Sequence, residues 1–300
     1  MTKTTIAIIG VSGSLGQPIL DVLQSDLFKD KVQFPIKAFS RRDIPSTETV
    51  EYIKADITEE NIPKIIEELN KDGGVDTIIE LVASDPKLFA LVTKIIVGAK
   101  PKLFIPSQFG VEIDKVNTYI PNFLSHKTIQ SKTTREAGIK TVDIITGFFF
   151  APGTYLYEAV QQIGIDPNTK TLEIFGDLSN KISVNFVDDI AKSVVSIATN
   201  SKPNELPNKV RIAGDVVTFQ QIVDTFEKNH NTKLQITKQV TSQEALNEFF
   251  EKIKNGPKHE DIFFYLHTIA SQGTDKGIHY SINENEIVNP GEKLWKWAKY

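Results

Sequence analysis

The residues best suited to chemistry stand near the start of the chain. Gly10-Val11-Ser12-Gly13-Ser14-Leu15-Gly16 follows the apolar run Ile6-Ala7-Ile8-Ile9, and Leu15, Ile19, Val22 and Leu23 then recur at helical spacing. A strand, a glycine turn and a helix start in that order form an anion site: glycine lets a pyrophosphate approach the backbone, and the helix amides and dipole stabilise its charge. Gly10, Ser12, Gly13, Ser14, Leu15 and Gly16 are therefore the expected dinucleotide-binding residues. The end of a second strand reads Ala38-Phe39-Ser40-Arg41-Arg42. A carboxylate there would bond the ribose 2′-hydroxyl of NAD. Two guanidiniums stand in its place, suited to bidentate, charge-assisted bonds with a 2′-phosphate, so NADPH is the expected cofactor and Arg41 its principal ligand. Asp56, just past a third strand, stands where an adenine edge would be contacted, and it is equally suited to capping the helix that follows.

Other chemistries are excluded. The 300 residues contain no cysteine, which removes disulfides, zinc–thiolate sites, iron–sulfur clusters and a catalytic thiol. None of the seven tyrosines has a lysine four residues on, so a Tyr-x-x-x-Lys acid/base pair is absent. The five histidines show no metal-ligand spacing with carboxylates, and no metal is expected. A formal charge of −4, with no basic block longer than Arg41-Arg42, argues against nucleic acid as a partner. The segment 1–10 has one lysine and four consecutive apolar residues, too few for a signal-peptide core, and the apolar stretch 144–157 is too short to span a membrane. A cytoplasmic protein without a membrane partner is expected.

The elements that must position these residues follow from periodicity. Strands are expected at 5–9, 34–40, 49–54, 75–82, 102–105 and 141–145, with helices after the glycine turn and at 58–70, 86–99 and 122–137. That alternation is the signature of an α/β, doubly wound parallel (Rossmann) sheet. Residues 1–150 would form the nucleotide-binding core, supplemented by a strand and helix from 181–214. The rest of 151–300 would form a smaller lobe that supplies a substrate pocket; beyond 150, strands are expected at 171–175 and 209–212 and helices at 187–199, 218–230, 242–253 and 260–270.

Phe104-Ile105-Pro106-Ser107-Gln108-Phe109-Gly110, after the fifth strand, resembles the F-x-P-S-E-F-G segment of the isoflavone reductase-like and NmrA-like families, which are atypical short-chain dehydrogenases/reductases. The G-x-x-G-x-x-G spacing of the turn, the arginine after strand two and the region 125–150 extend the similarity. The resemblance implies a catalytic lysine in the helix upstream of Glu136-Ala137-Gly138-Ile139, which places it at Lys127. On that helix Phe123, Lys127, Gln130 and Thr134 would share a face. To exchange a proton near neutral pH, a lysine must fall from about 10.4 by roughly 3 units, a differential stabilisation of about 4 kcal/mol. An apolar pocket would supply it. By the same resemblance Phe149 is the nicotinamide neighbour, Phe109 walls the cofactor cleft, and Phe148 and Phe150 are candidates for the substrate pocket. Gln108 departs from the families' glutamate and removes a charge on the cofactor side. The function implied is an NADPH-dependent reductase of isoflavone reductase-like type, acting on a small, largely apolar, aromatic substrate. The alternative is an NmrA-like dinucleotide sensor that acts on a protein partner without turnover; it would need no Lys127 in the cleft.

Overall fold

The apolar run after Thr4 becomes β1 (Thr4–Ile9), in the middle of a six-stranded sheet, and its side chains alternate between two cores. Ile6 and Ile8 join Ile19, Leu20 and Leu23 of α1 (Gly16–Gln24) on one face, while Ala7 and Ile9 face the opposite core. A strand covered on both faces needs no polar alternation, which explains the unbroken apolar run. The structure, a computed structural model, describes residues 3–158, 160–254 and 256–300, so Met1 and Thr2 of the amino-terminal segment lie outside the described residues.

The chain continues through β2 (Val32–Ser40), β3 (Val50–Lys54), α2 (Ile62–Asn70), β4 (Thr77–Glu80), α3 (Pro86–Ala99), β5 (Leu103–Ile105), the short α4 (Ile113–Val116), α5 (Ser125–Glu136) and β6 (Lys140–Thr141). The strands are parallel in the order β3-β2-β1-β4-β5-β6, the doubly wound Rossmann arrangement expected from the sequence. Ile62, Ile65 and Leu69 of α2 and Phe89, Val92, Ile95 and Ile96 of α3 cover the face carrying Ala7 and Ile9. The start of α3 is fixed locally: Asp85 accepts from Leu88 N at 2.8 Å and Pro86 opens the first turn, a cap worth about 1 kcal/mol.

Beside shifts of one or two residues at other ends, three boundaries differ from expectation. The helix expected at 122–137 begins only at Ser125, because Asn122 and Leu124 adopt φ of 64° and 49°, outside the helical region. Phe123 therefore precedes the helix and packs in another core. Residues 59–61 form a 3₁₀ turn before α2 rather than its first turn. The strand expected at 141–145 is two. Val142 N still donates to Phe104 O at 3.0 Å, but Asp143 N donates to Asn208 O at 2.9 Å, so β7 (Asp143–Ile145) leaves the central sheet.

The second half comprises β8 (Phe148–Ala151), β9 (Thr154–Tyr155), β10 (Ile165–Asp166), β11 (Thr171–Phe175), β12 (Lys181–Phe186), α6 (Val187–Ala198), β13 (Lys209–Arg211), β14 (Asp215–Thr218), α7 (Phe219–Asn229), β15 (Gln235–Val240), α8 (Ser242–Ile253), α9 (Ile262–Ala270) and the short α10 (Asn285–Val288). β13 pairs with β7, and Ile190, Val194 and Ile197 of α6 pack into the same core as Ile6 and Ile8. The remaining strands make two small sheets, β14-β12-β8-β9 and β10-β11-β15, around a separate core containing Phe148, Phe150, Ile174, Val184, Phe219 and Phe249. Capping boxes at Thr218/Gln221 and Thr241/Glu244 start α7 and α8. Among the described residues, no helix is long and apolar enough to cross a membrane.

Candidate active site

The glycine turn sits at the carboxyl end of β1. Gly10 has φ +89°, and a Cβ there would lie 2.9 Å from the Leu81 carbonyl carbon; at Gly16 it would lie 1.6 Å from Val11 O. Only glycine permits both the turn and the close approach of α1 to the strand. Ser12, Gly13 and Ser14 are exposed while Leu15 and Gly16 are buried, and α1 has no side-chain cap. The result is a cradle of backbone with a helix start behind it, which fits a phosphate. Gly10 N reaches Phe39 O at 3.4 Å, so the end of β2 adjoins the turn. Beyond it Arg41 and Arg42 are exposed, and Arg42 N is held by Ser40 Oγ at 3.0 Å.

Asp56 is exposed after β3, and the turn and helix that follow have no side-chain cap. Its backbone carbonyl instead accepts from Thr58 N and from Asn61 Nδ2. Of the two uses open to it, the cap is not made. With Phe39, Ile53, Ala55 and Ile65 it lines a cavity of about 220 Å³.

Lys127 lies in the first turns of α5 and is half-buried. Its Nζ donates to Ser107 O at 2.7 Å and sits 5.8 Å from the centre of the Phe89 ring. Burial pushes the ammonium down to about 8, against the opposing attraction of Glu80. Glu80, the last residue of β4, is fully buried. Its carboxylate accepts from Ser107 N at 3.0 Å and from Gln130 Nε2 at 3.1 Å. Burial pushes this carboxyl up to about 7, opposed by those two bonds and by Lys127. Ser107 completes its own anchoring by donating Oγ to Val82 O at 3.1 Å.

Gln108 is buried, and its amide donates from Nε2 to Lys127 O at 2.7 Å and to Ser131 Oγ at 3.0 Å. Ser131 Oγ in turn donates to Asp143 Oδ1 at 2.6 Å, and Arg135 Nη2 to Asp143 Oδ2 at 2.7 Å. Gln108 thus ties the segment after β5 to the backbone of the Lys127 turn. Phe109 and Phe149 are half-buried against the core of the central sheet, and Phe149 meets Tyr155 edge-on at 5.7 Å. Phe148 and Phe150 point the other way, into the core of the second half.

Two neighbours of Lys127 escape a reading of the sequence. Glu80 ends an apolar strand, Thr77-Ile78-Ile79-Glu80; a carboxylate in such a run is the signal that marks it. His126 is adjacent to Lys127 in the chain, and the sequence reading of the histidines turned on metal-ligand spacing. Its Nε2 lies 2.9 Å from Ser84 Oγ and its ring meets Phe89 edge-on at 4.9 Å, so it lies at the same crevice. Burial and the Lys127 charge lower its pKa against the pull of Asp85. Among the described residues, no group of three His, Asp or Glu side chains is placed to hold a metal ion.

A profile of the NmrA-like family matches residues 2–295. An isoflavone reductase homologue, P3, from Arabidopsis thaliana is 30% identical over 171 residues, 54% of this chain and 54% of that protein. The match spans about half the length of the curated relatives. Among solved structures, an isoflavone reductase superposes with a TM-score of 0.68 at 19% identity, covering 91% of this chain and 88% of that one. The binary complex of leucoanthocyanidin reductase with NADPH from Vitis vinifera superposes with a TM-score of 0.66 at 18% identity, covering 90% and 87%.

Proposed function

This chain belongs to the NmrA-like family, and from that premise we propose that it is an NADPH-dependent reductase of isoflavone reductase-like type with Lys127 as its proton donor. The observation that carries the reading is the Lys127 ammonium, held by Ser107 O at 2.7 Å with its proton affinity lowered toward neutrality. A dinucleotide sensor needs the glycine turn and a ribose contact but no acid in the cleft.

When bound, NADPH supplies the hydride. The Gly10–Gly16 backbone would hold the pyrophosphate on the start of α1, Arg41 the 2′-phosphate, and Asp56 the adenine edge. Phe109 and Phe149 exclude water beside the nicotinamide. Lys127 Nζ gives its proton to the substrate atom that gains negative charge, or stabilises that charge as a cation. The remainder of 151–300, beside the 181–214 region that joins the nucleotide-binding core, forms with Phe148 and Phe150 behind it the lobe that closes on a small, largely apolar, aromatic substrate. The relatives named for isoflavone and pinoresinol-lariciresinol reduction support that substrate class.

The test is NADPH consumption across such substrates by the wild type and Lys127→Ala. NADPH binding retained with turnover lost in the variant supports the reading. Equal turnover in both overturns it.

A further inference from the structure

Ser107 is gripped from both sides by opposite charges. Its N–H donates to Glu80 and its carbonyl accepts from Lys127, while its hydroxyl is spent on Val82 O. The anion and cation therefore act through one residue of the segment after β5 rather than as a directly bonded pair. Glu80 belongs to β4, Lys127 to α5, and Ser107 lies between them beyond β5, so three elements meet at this clamp. The other titratable groups nearby are His126 and Asp85, which face the Ser84 side. Gln130 provides the remaining polar contact: its Nε2 donates to Glu80 while its Oε1 is buried without a partner. The same Nε2 also donates to Phe89 O at 3.3 Å, which holds the amide in the orientation that offers a proton to an ionised Glu80.

We propose that Glu80 is the positioning residue for Lys127: it fixes the Ser107 segment to which the ammonium is bonded, and its charge sets whether that ammonium holds its proton in the resting protein. This rests on the reading of Lys127 as proton donor. As that proton passes to substrate, the N–H bond breaks and its electron pair stays on Nζ. Lys127 is then a neutral amine on the Ser107 segment that Glu80 anchors, and it regains a proton from solvent.

The test uses the full chain labelled with ¹³C-lysine, with the Lys127 resonance assigned by its disappearance in Lys127→Arg. Glu80→Gln keeps the shape and removes the charge, and the Lys127 midpoint moves down by about one pH unit or more. Glu80→Asp retains the charge and keeps the midpoint near that of the wild type. An unchanged midpoint in folded Glu80→Gln overturns the proposal. Lys127→Met with a labelled Glu80 carboxyl reads the same coupling in reverse and serves should Glu80→Gln not fold. There the Glu80 midpoint rises, and an unmoved midpoint again refutes the coupling. In turnover, an inactive Lys127→Ala with an unshifted pH profile for Glu80→Gln defeats this inference alone. An active Lys127→Ala defeats the reading beneath it.

Discussion

Replacing Gln108 by glutamate tests how the Lys127 turn is held. The Gln108 amide makes two donated bonds, to Lys127 O at 2.7 Å and to Ser131 Oγ at 3.0 Å, and its residue is only 3% exposed. An ionised glutamate accepts only. It faces the Lys127 carbonyl with no proton to offer, and Ser131 has already committed its hydroxyl proton to Asp143. Leaving buried partners unsatisfied costs about 1–3 kcal/mol each, so the expected destabilisation is about 3–5 kcal/mol with the carboxylate charged. A protonated glutamate regains one donor and brings the loss down to about 1–2 kcal/mol. The introduced carboxyl is desolvated, so its native pKa is raised above the unfolded value of about 4.3. The native state then binds the proton more tightly. The extra loss is absent below the unfolded pKa, grows as pH rises toward the native one, and is then constant. Urea unfolding of both proteins at about pH 5 and about pH 8 measures this directly, with an unchanged m value marking a true stability effect. A loss that is equal at the two pH values, or under about 1 kcal/mol at the higher one, would refute the donor role of Gln108.

Two further outcomes follow from the cofactor side, beside the titration of Glu80→Gln described above. Arg41→Ala removes the proposed 2′-phosphate ligand just beyond β2, so NADPH affinity, measured by calorimetry, drops about 10- to 100-fold while NADH affinity changes little; equal losses would dismiss the 2′-phosphate contact. Gly16→Ala places a methyl 1.6 Å from Val11 O, which the backbone can relieve only by moving the start of α1 away from the glycine turn. A loss of several kcal/mol in stability and of dinucleotide binding is expected, and wild-type affinity in the folded variant would show that the cradle is not the site.

How much of this was legible depends on where apolar periodicity carries information. β1 and α3 were readable because their buried residues are apolar and their ends carry glycine, or proline and a capping aspartate. α5 has no such stripe: its buried residues are Gln130, Ser131 and Thr134, and its one strongly apolar side chain, Ile129, is 59% exposed. Its expected span of 122–137 rested on the stop at Gly138, and its true start on left-handed residues that no pattern announces. β12 went unread for a related reason. Ser183 and Asn185 are buried in it, and Asn185 spends its amide on Thr146 O, Ile212 O and Gly214 N, which breaks the apolar run. The glycine turn was plain in the sequence. Glu80 was not, because its contacts with Ser107 and Gln130 span 27 and 50 residues of chain, and only the fold brings them together.

The measurement closest to the central claim is NADPH oxidation over a panel of phenylpropanoid, isoflavonoid, quinone and aldehyde substrates, with products identified, for the wild type and Lys127→Ala. The account predicts stoichiometric reduction of at least one aromatic substrate by the wild type. It also predicts a fall of at least about 10²-fold in turnover for the variant, with NADPH affinity within about twofold of the wild type. Tight NADPH binding with no consumption on any substrate would contradict it and make the chain a sensor.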